Sequence, residues 1–225
     1  MSEFFRKNYK RWIITLVLVV VLIALAIGAY QKGISRKDLV YAESLDKVAV
    51  TVDGRDLTLK DLAFYIAYEE AEVEKAAQVY DEDDTNKYWN LHIDGVFVKV
   101  SAKNAIIQMA VHDEIFYQAA VKEGIELNEE EYKLLDSSVE DFWNDLQDYD
   151  KIERLNVTRE DISVQMEKVT LAQKYQIIQA GMSGESYESF AFSGEGYEKL
   201  LEEHQYKIRE SVWNRIPIGN VTLHH

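Results

Sequence analysis

The chain has 225 residues, 47% of them hydrophobic, with no cysteine, a single proline and a formal net charge of −15. Without cysteine there are no disulfides, thiolate nucleophiles or cysteine-type zinc sites, so stability has to come from a core. Residues 1–37 hold seven Lys or Arg against one acid, a net of +6, so residues 38–225 carry −21. That excess argues against nucleic acid as a partner and disfavours resting on an anionic lipid surface.

Residues 1–11 form a basic segment, with Arg6, Lys7, Lys10 and Arg11. From Trp12 to Ala29 no residue is charged, and at the helical rise this run covers about 27 Å, close to the hydrocarbon thickness of a bilayer. The expectation is a transmembrane helix over 12–30, N-terminus cytoplasmic by the positive-inside rule, with everything after Tyr30 exported. A cleaved signal peptide is the rival reading, since Ala24-Leu25-Ala26 has the small-x-small form; the length of the run favours retention. Residues 31–45 read as a stalk, and 46–225 as one domain, because no Pro-rich or repetitive linker divides them.

Val48 to Val52 alternates β-branched residues and ends at Asp53-Gly54, a two-residue hairpin signal with a return strand at Arg55-Asp56-Leu57. Thr58 with Asp61 has the form of a capping box, opening a helix that runs to about Tyr80. The acidic loop Asp81 to Asp84 lacks the alternating oxygens and distal glutamate of a calcium loop. After a turn at Asp94-Gly95, Val98 to Glu123 is apolar on more than one face, which places it at the centre of a bundle. Gly124 fits a left-handed cap, Asn128 with Glu131 opens the next helix, and Tyr132, Leu135, Val139, Phe142, Leu146 and Tyr149 form an amphipathic stripe. Thr158 with Asp161 caps a further helix to about Ala180. Gly181 to Gly196 reads as a loop, Tyr197 to Gln205 as a short helix, and the chain from Tyr206 as a strand or extended tail able to pair with Val48 to Val52.

The fold class expected is therefore mainly α: a transmembrane helix followed by an extracytoplasmic helical bundle, with a small hairpin or sheet joining the domain's ends. Three stretches, Val48 to Leu62, Ala119 to Tyr132 and Val157 to Tyr175, give this order a resemblance to the N-terminal chaperone domain of the SurA and PrsA foldases. The resemblance implies a cradle that binds unfolded secreted or outer-surface polypeptides through apolar and aromatic surface; with the expected anchor, the reading is a non-catalytic, holdase-like module on the outer face of a bacterial, Gram-positive cytoplasmic membrane. Such foldases typically insert a parvulin domain of about 90 residues before the closing helix, an ordinary domain size. Only Gly181 to Gly196 occupies that place here, which puts isomerase activity in doubt.

No catalytic constellation emerges. His92, His112 and His204 have no partner at the i+4 spacing of a helical zinc site, and no serine sits in a Gly-x-Ser-x-Gly elbow. Neither metal nor cofactor is expected. His112 shares a stripe with Asn104 and Gln108, suiting a polar seam on an apolar helix. The aromatics stand out, 26 in all and fourteen of them Tyr, a residue that combines contact area with a polar handle. Tyr65, Tyr68, Tyr88, Trp89, Phe97, Tyr117 and Trp143 are the candidates for a client-contacting surface. The partners expected are emerging exported chains, with the membrane reached through one helix. The alternatives are a subunit of an envelope complex binding one folded partner, and a divergent prolyl isomerase.

Overall fold

The N-terminal strand of the domain sits in the middle of a three-stranded antiparallel sheet rather than in an isolated hairpin. A computed structural model of the chain describes residues 37–147 and 151–224. Strand β1 (Val48–Val52) turns through Asp53 (φ 47°) and Gly54 (φ 84°) into β2 (Arg55–Thr58). Two successive positive φ values define the type I′ turn, whose twist matches that of the strands. On its other edge β1 pairs with β5 (Tyr206–Ile208), in the register Val50 to Ile208 and Val52 to Tyr206. The expected joining of the domain's two ends is thus present, and Ala49, Val50 and Val52 are wholly buried beneath it.

Thr58 and Asp61 make the reciprocal bonds of a capping box, yet the helix begins only at Ala63. The backbone of Leu59 and Lys60 still donates across to Lys47 and Leu45 (2.9 and 3.0 Å), which prolongs the pairing past the strand. The box therefore closes a turn that drives Leu59 and Leu62 into the core, and α1 (Ala63–Tyr80) follows. A short helix α2 (Asn86–Trp89) and the β3–β4 hairpin (His92–Ile93, Val96–Phe97) lead into α3 (Val98–Lys122). Helix α3 buries Ala102, Ile106, Ala110, Ile115 and Phe116 on several faces, as expected of a central helix. Full burial of Ile106, Ile115 or Phe116 contributes roughly 2 kcal/mol each.

Gly124 (φ 69°) ends α3, with Ile125 N–H bonded back to the Ala120 carbonyl. Asn128 Oδ1 caps α4 (Glu129–Gln147), accepting from the Glu130 and Glu131 amides while Glu131 returns the bond to Asn128 N–H. The stripe on α4 is only partly buried. Leu135 and Val139 join Leu127 in a satellite cluster against Met166 and Leu171, and Leu146 reaches the main core. Tyr132 stays exposed with its hydroxyl on Glu167, and Tyr149 lies outside the described residues. A single turn, α5 (Lys151–Leu155), not anticipated from the sequence, precedes α6 (Arg159–Ser183), whose Thr158–Asp161 capping box is complete. Helices α3 and α6 make the largest helix packing in the domain.

Beyond α6 the expectations need correction. Glycine 184 rather than Gly181 ends the helix, and the segment expected as a loop contains a 3₁₀ turn at Tyr187–Phe190 and the start of α7 (Glu195–Leu201). The strand from Tyr206 lasts three residues. It gives way to α8 (Glu210–Trp213) and then to a coil whose Ile216, Ile218 and Val221 enter the core. This coil is held by Glu70, a fully buried carboxylate on α1, which accepts from the amides of Gly219, Val221 and Thr222 and from the Thr222 hydroxyl. A local pattern cannot reveal such a long-range acceptor, and without it the coil reads as a tail.

The compact unit begins at Leu39, whose amide donates to the Arg215 carbonyl, and Tyr41 is buried with its hydroxyl on the Leu59 carbonyl. The basic segment 1–11, the apolar run 12–30 and residues 31–36 of the expected stalk lie outside the described residues. Among the described residues no helix is long and apolar enough to cross a membrane.

Candidate functional site

An aromatic groove of about 280 Å³ opens between α1, α3, α6 and the segment 187–192. Helix α1 supplies Phe64, Tyr65 and Tyr68, whose spacing of one and four residues puts Phe64 and Tyr68 on one face. Their rings stack at 6.2 Å with 23° between planes, and Phe64 also meets Phe142 of α4 at 5.0 Å. Met109 of α3 and Val169 of α6 line the groove, and Tyr187 and Phe192 close its far side. Tyr68, Tyr187 and Phe192 are all exposed, so apolar ring area faces solvent at the rim.

The floor is polar but satisfied from within. Gln165 Nε2 donates to the Tyr65 hydroxyl (3.1 Å), which donates to Asp113 Oδ2 (3.0 Å). Asp113 Oδ1 lies 2.8 Å from His112 Nδ1, and His112 Nε2 lies 2.8 Å from the Phe190 carbonyl. Asp113 Oδ1 and the Phe190 carbonyl are both acceptors, so the ring nitrogen facing each makes its hydrogen bond as an N–H donor. Burial and the neighbouring Asp113 carboxylate push the Tyr65 hydroxyl well above the usual phenol range, which keeps it a donor. Among the described residues no buried side-chain polar atom is left without a partner. The floor is thus a hydrogen-bonded polar network, and the rim above it offers aromatic surface.

The segment 187–192 is a wall tied down by two buried side chains. His112 reaches the Phe190 carbonyl, and Gln176 Nε2 donates to the Tyr187 carbonyl at 3.0 Å. Phe190 turns inward, its ring edge-on to Phe116 at 6.5 Å, while Phe192 turns outward. Tyr197 of α7 packs against the His112 ring at 4.8 Å and fixes the network from behind.

Of the seven aromatics expected at a client surface, two meet here: Tyr65 in the floor and Tyr68 on the rim. Trp89 is in the core, its Nε1 donating to Glu74 Oε2 (2.9 Å) and its ring directly under Gly219. Tyr88 is half-buried, with Tyr80 at 5.7 Å. Tyr117 lies on another face of α3, covered by Arg55 at 5.1 Å and Lys168 at 5.9 Å. Trp143 is half-buried against the main core, and Phe97 is exposed on the β3–β4 hairpin. The groove's Phe64, Tyr187, Phe192 and His112 were not among the seven. A signal for two of them was present: Tyr187, Phe190 and Phe192 are three aromatics in a Gly- and Ser-rich stretch, too many for a mere linker.

Residues 1–176 match the model of a family described as the SurA-like N-terminal domain. No curated protein and no solved structure matches the chain.

Proposed function

Because the chain belongs to the SurA-like N-terminal domain family, we propose that it is a holdase-type chaperone that captures unfolded exported polypeptides in the aromatic groove. The family is chaperone-related, and the observation that carries the reading is the convergence of Tyr68, Tyr187 and Phe192 on one open groove. Aromatic side chains of an unfolded segment would stack on this rim, gaining contact area at low entropic cost. The satisfied floor adds no directional demand, which suits clients of varied sequence. The charge of −21 on residues 38–225 limits self-association while the rim stays apolar.

The apolar run 12–30 would anchor the chain in the cytoplasmic membrane with the domain outside, close to where exported chains emerge. A light-scattering assay with an aggregating unfolded client tests the capture. Wild-type chain should delay aggregation, and the Tyr68→Ala/Phe192→Ala double variant should delay it markedly less. Wild-type chain that neither slows aggregation nor binds peptides removes the reading.

A further inference from the structure

The three-stranded sheet ends on an open edge at β5. In the order β2-β1-β5, this strand has β1 on one side and, among the described residues, no strand on the other. Two bonds set the phase of its pairing. Arg209 N–H donates to the Ala49 carbonyl and Asp53 N–H to the Gln205 carbonyl, both at 2.8 Å. Bonding positions alternate in an antiparallel ladder, so 205, 207 and 209 bond toward β1, and the amides and carbonyls of Tyr206 and Ile208 point away from it. Beside them lies an open depression of about 650 Å³, lined by the single run from Tyr206 to Ser211.

The side chains on this edge have a sign. Asp56, Thr51 and Lys207 stand in register, one on each strand, and form a row across one face of the sheet. Thr51 Oγ1 donates to Asp56 Oδ1 (2.6 Å), which leaves Lys207 as the outer end of the row. Arg209, two positions on and still bonded to β1, follows on the same face. Both basic residues are exposed, and among the described residues neither side chain is engaged by a carboxylate. Glu210 begins α8, past the end of the strand. Tyr206 and Ile208 point to the other face, where Tyr206 is 47% exposed.

Basic residues on an edge guard it against apolar strands and against copies of the same edge. Two β5 strands placed antiparallel would set Lys207 and Arg209 against like charges. An acidic strand meets no such barrier. We propose that β5 takes up an extended segment of another polypeptide, one that alternates acidic and apolar residues, as an added strand of the sheet. Its backbone bonds to the amides and carbonyls of Tyr206 and Ile208. Its carboxylates stand across from Lys207 and Arg209 at the cross-strand spacing of about 5 Å, and its apolar side chains extend the face of Tyr206 and Ile208. The edge is separate from the aromatic groove, and its use does not depend on capture there.

The probe is a short fluorescent peptide alternating valine and glutamate, with lysine replacing glutamate in its control, added to the full chain in a non-ionic detergent. Amide exchange should slow several-fold at Tyr206 and Ile208 when the glutamate peptide is added, while Arg209, already bonded to β1, changes little. Fluorescence anisotropy should show the glutamate peptide bound about tenfold more tightly than the lysine peptide, and Lys207→Glu/Arg209→Glu should reverse that order. Tyr206→Pro removes an outward amide and none of the bonds to β1, and should by itself weaken binding of the glutamate peptide. Binding that ignores the sign of the peptide, or that leaves the exchange of both outward amides unchanged, overturns the proposal. So does slowing of these amides that rises with chain concentration in the absence of peptide, because it marks a second copy pairing at this edge.

Discussion

Glu70 and Thr222 are 152 positions apart, yet the carboxylate of one accepts from both the amide (2.7 Å) and the hydroxyl (2.6 Å) of the other. With the amides of Gly219 and Val221, this makes four donors converging on one buried anion. The contact locks the C-terminal coil against α1. Replacing Glu70 with Ala leaves those donors without acceptors, at a cost of about 3 kcal/mol. Urea denaturation of the full chain followed by circular dichroism should show the loss as a lower midpoint.

The same carboxyl gives a pH dependence. Burial pushes Glu70 above the usual range, partly offset by the bonds from Thr222, Gly219 and Val221. A raised folded-state value means that its contribution to stability is fully present below the unfolded-state value, about 4.3, and is lost as pH rises through the folded one. The stability of wild type relative to Glu70→Gln, which does not titrate, should therefore fall as pH is raised above that point. A difference that stays flat or grows would show that the four donors outweigh the burial.

His112 ties the groove wall to α3 through the Phe190 carbonyl. His112→Ala should cost about 2 kcal/mol, since it removes two hydrogen bonds and leaves a cavity beside Phe116 and Tyr197. Hydrogen exchange should quicken over residues 187–192 before the rest of the domain responds. Uniform change across the domain would mean that the wall and the core open together.

Tyr68 and Phe192 are exposed on the rim, so their truncation should shift stability by no more than about 0.5 kcal/mol each. Peptide affinity should fall by about tenfold for the pair, equivalent to 1.4 kcal/mol. Fluorescence anisotropy with a labelled aromatic-rich peptide separates the two effects. Unchanged affinity would move the client surface elsewhere.

Gly219 has φ 93°, and a Cβ there would come within 2.9 Å of the Trp89 ring. Gly219→Ala should be destabilising by about 2 kcal/mol, from backbone strain and from displacement of a buried indole. The near-ultraviolet tryptophan signal should change with it.

Much of the fold was legible because its signals are local. The Asp53-Gly54 and Asp94-Gly95 turns, the Thr158–Asp161 box, the Asn128 cap and the left-handed Gly124 each depend on a few adjacent residues. The pairing of β1 with the Tyr206 strand was also readable, since alternation at both ends of the domain needed a partner. The delayed start of α1 was hidden, because the bonds from Leu59 and Lys60 go to Lys47 and Leu45, just ahead of β1. The groove was half visible. Tyr65 and Tyr68 were among the expected residues, whereas Tyr187 and Phe192 lay in a segment that looked like filler.

The sequence by itself determined the tight turns, the caps that open α4 and α6, the family, and the charge that sets the domain against nucleic acid. It also marked the aromatics as the residues with something to bind. Only the tertiary structure decided which of them face solvent: Trp89 lies under Gly219, Tyr117 under Arg55 and Lys168, and Tyr68 opens on the groove. The physical reason is that exposure depends on what packs on top of a side chain. For these rings, most of the covering groups come from segments distant in sequence.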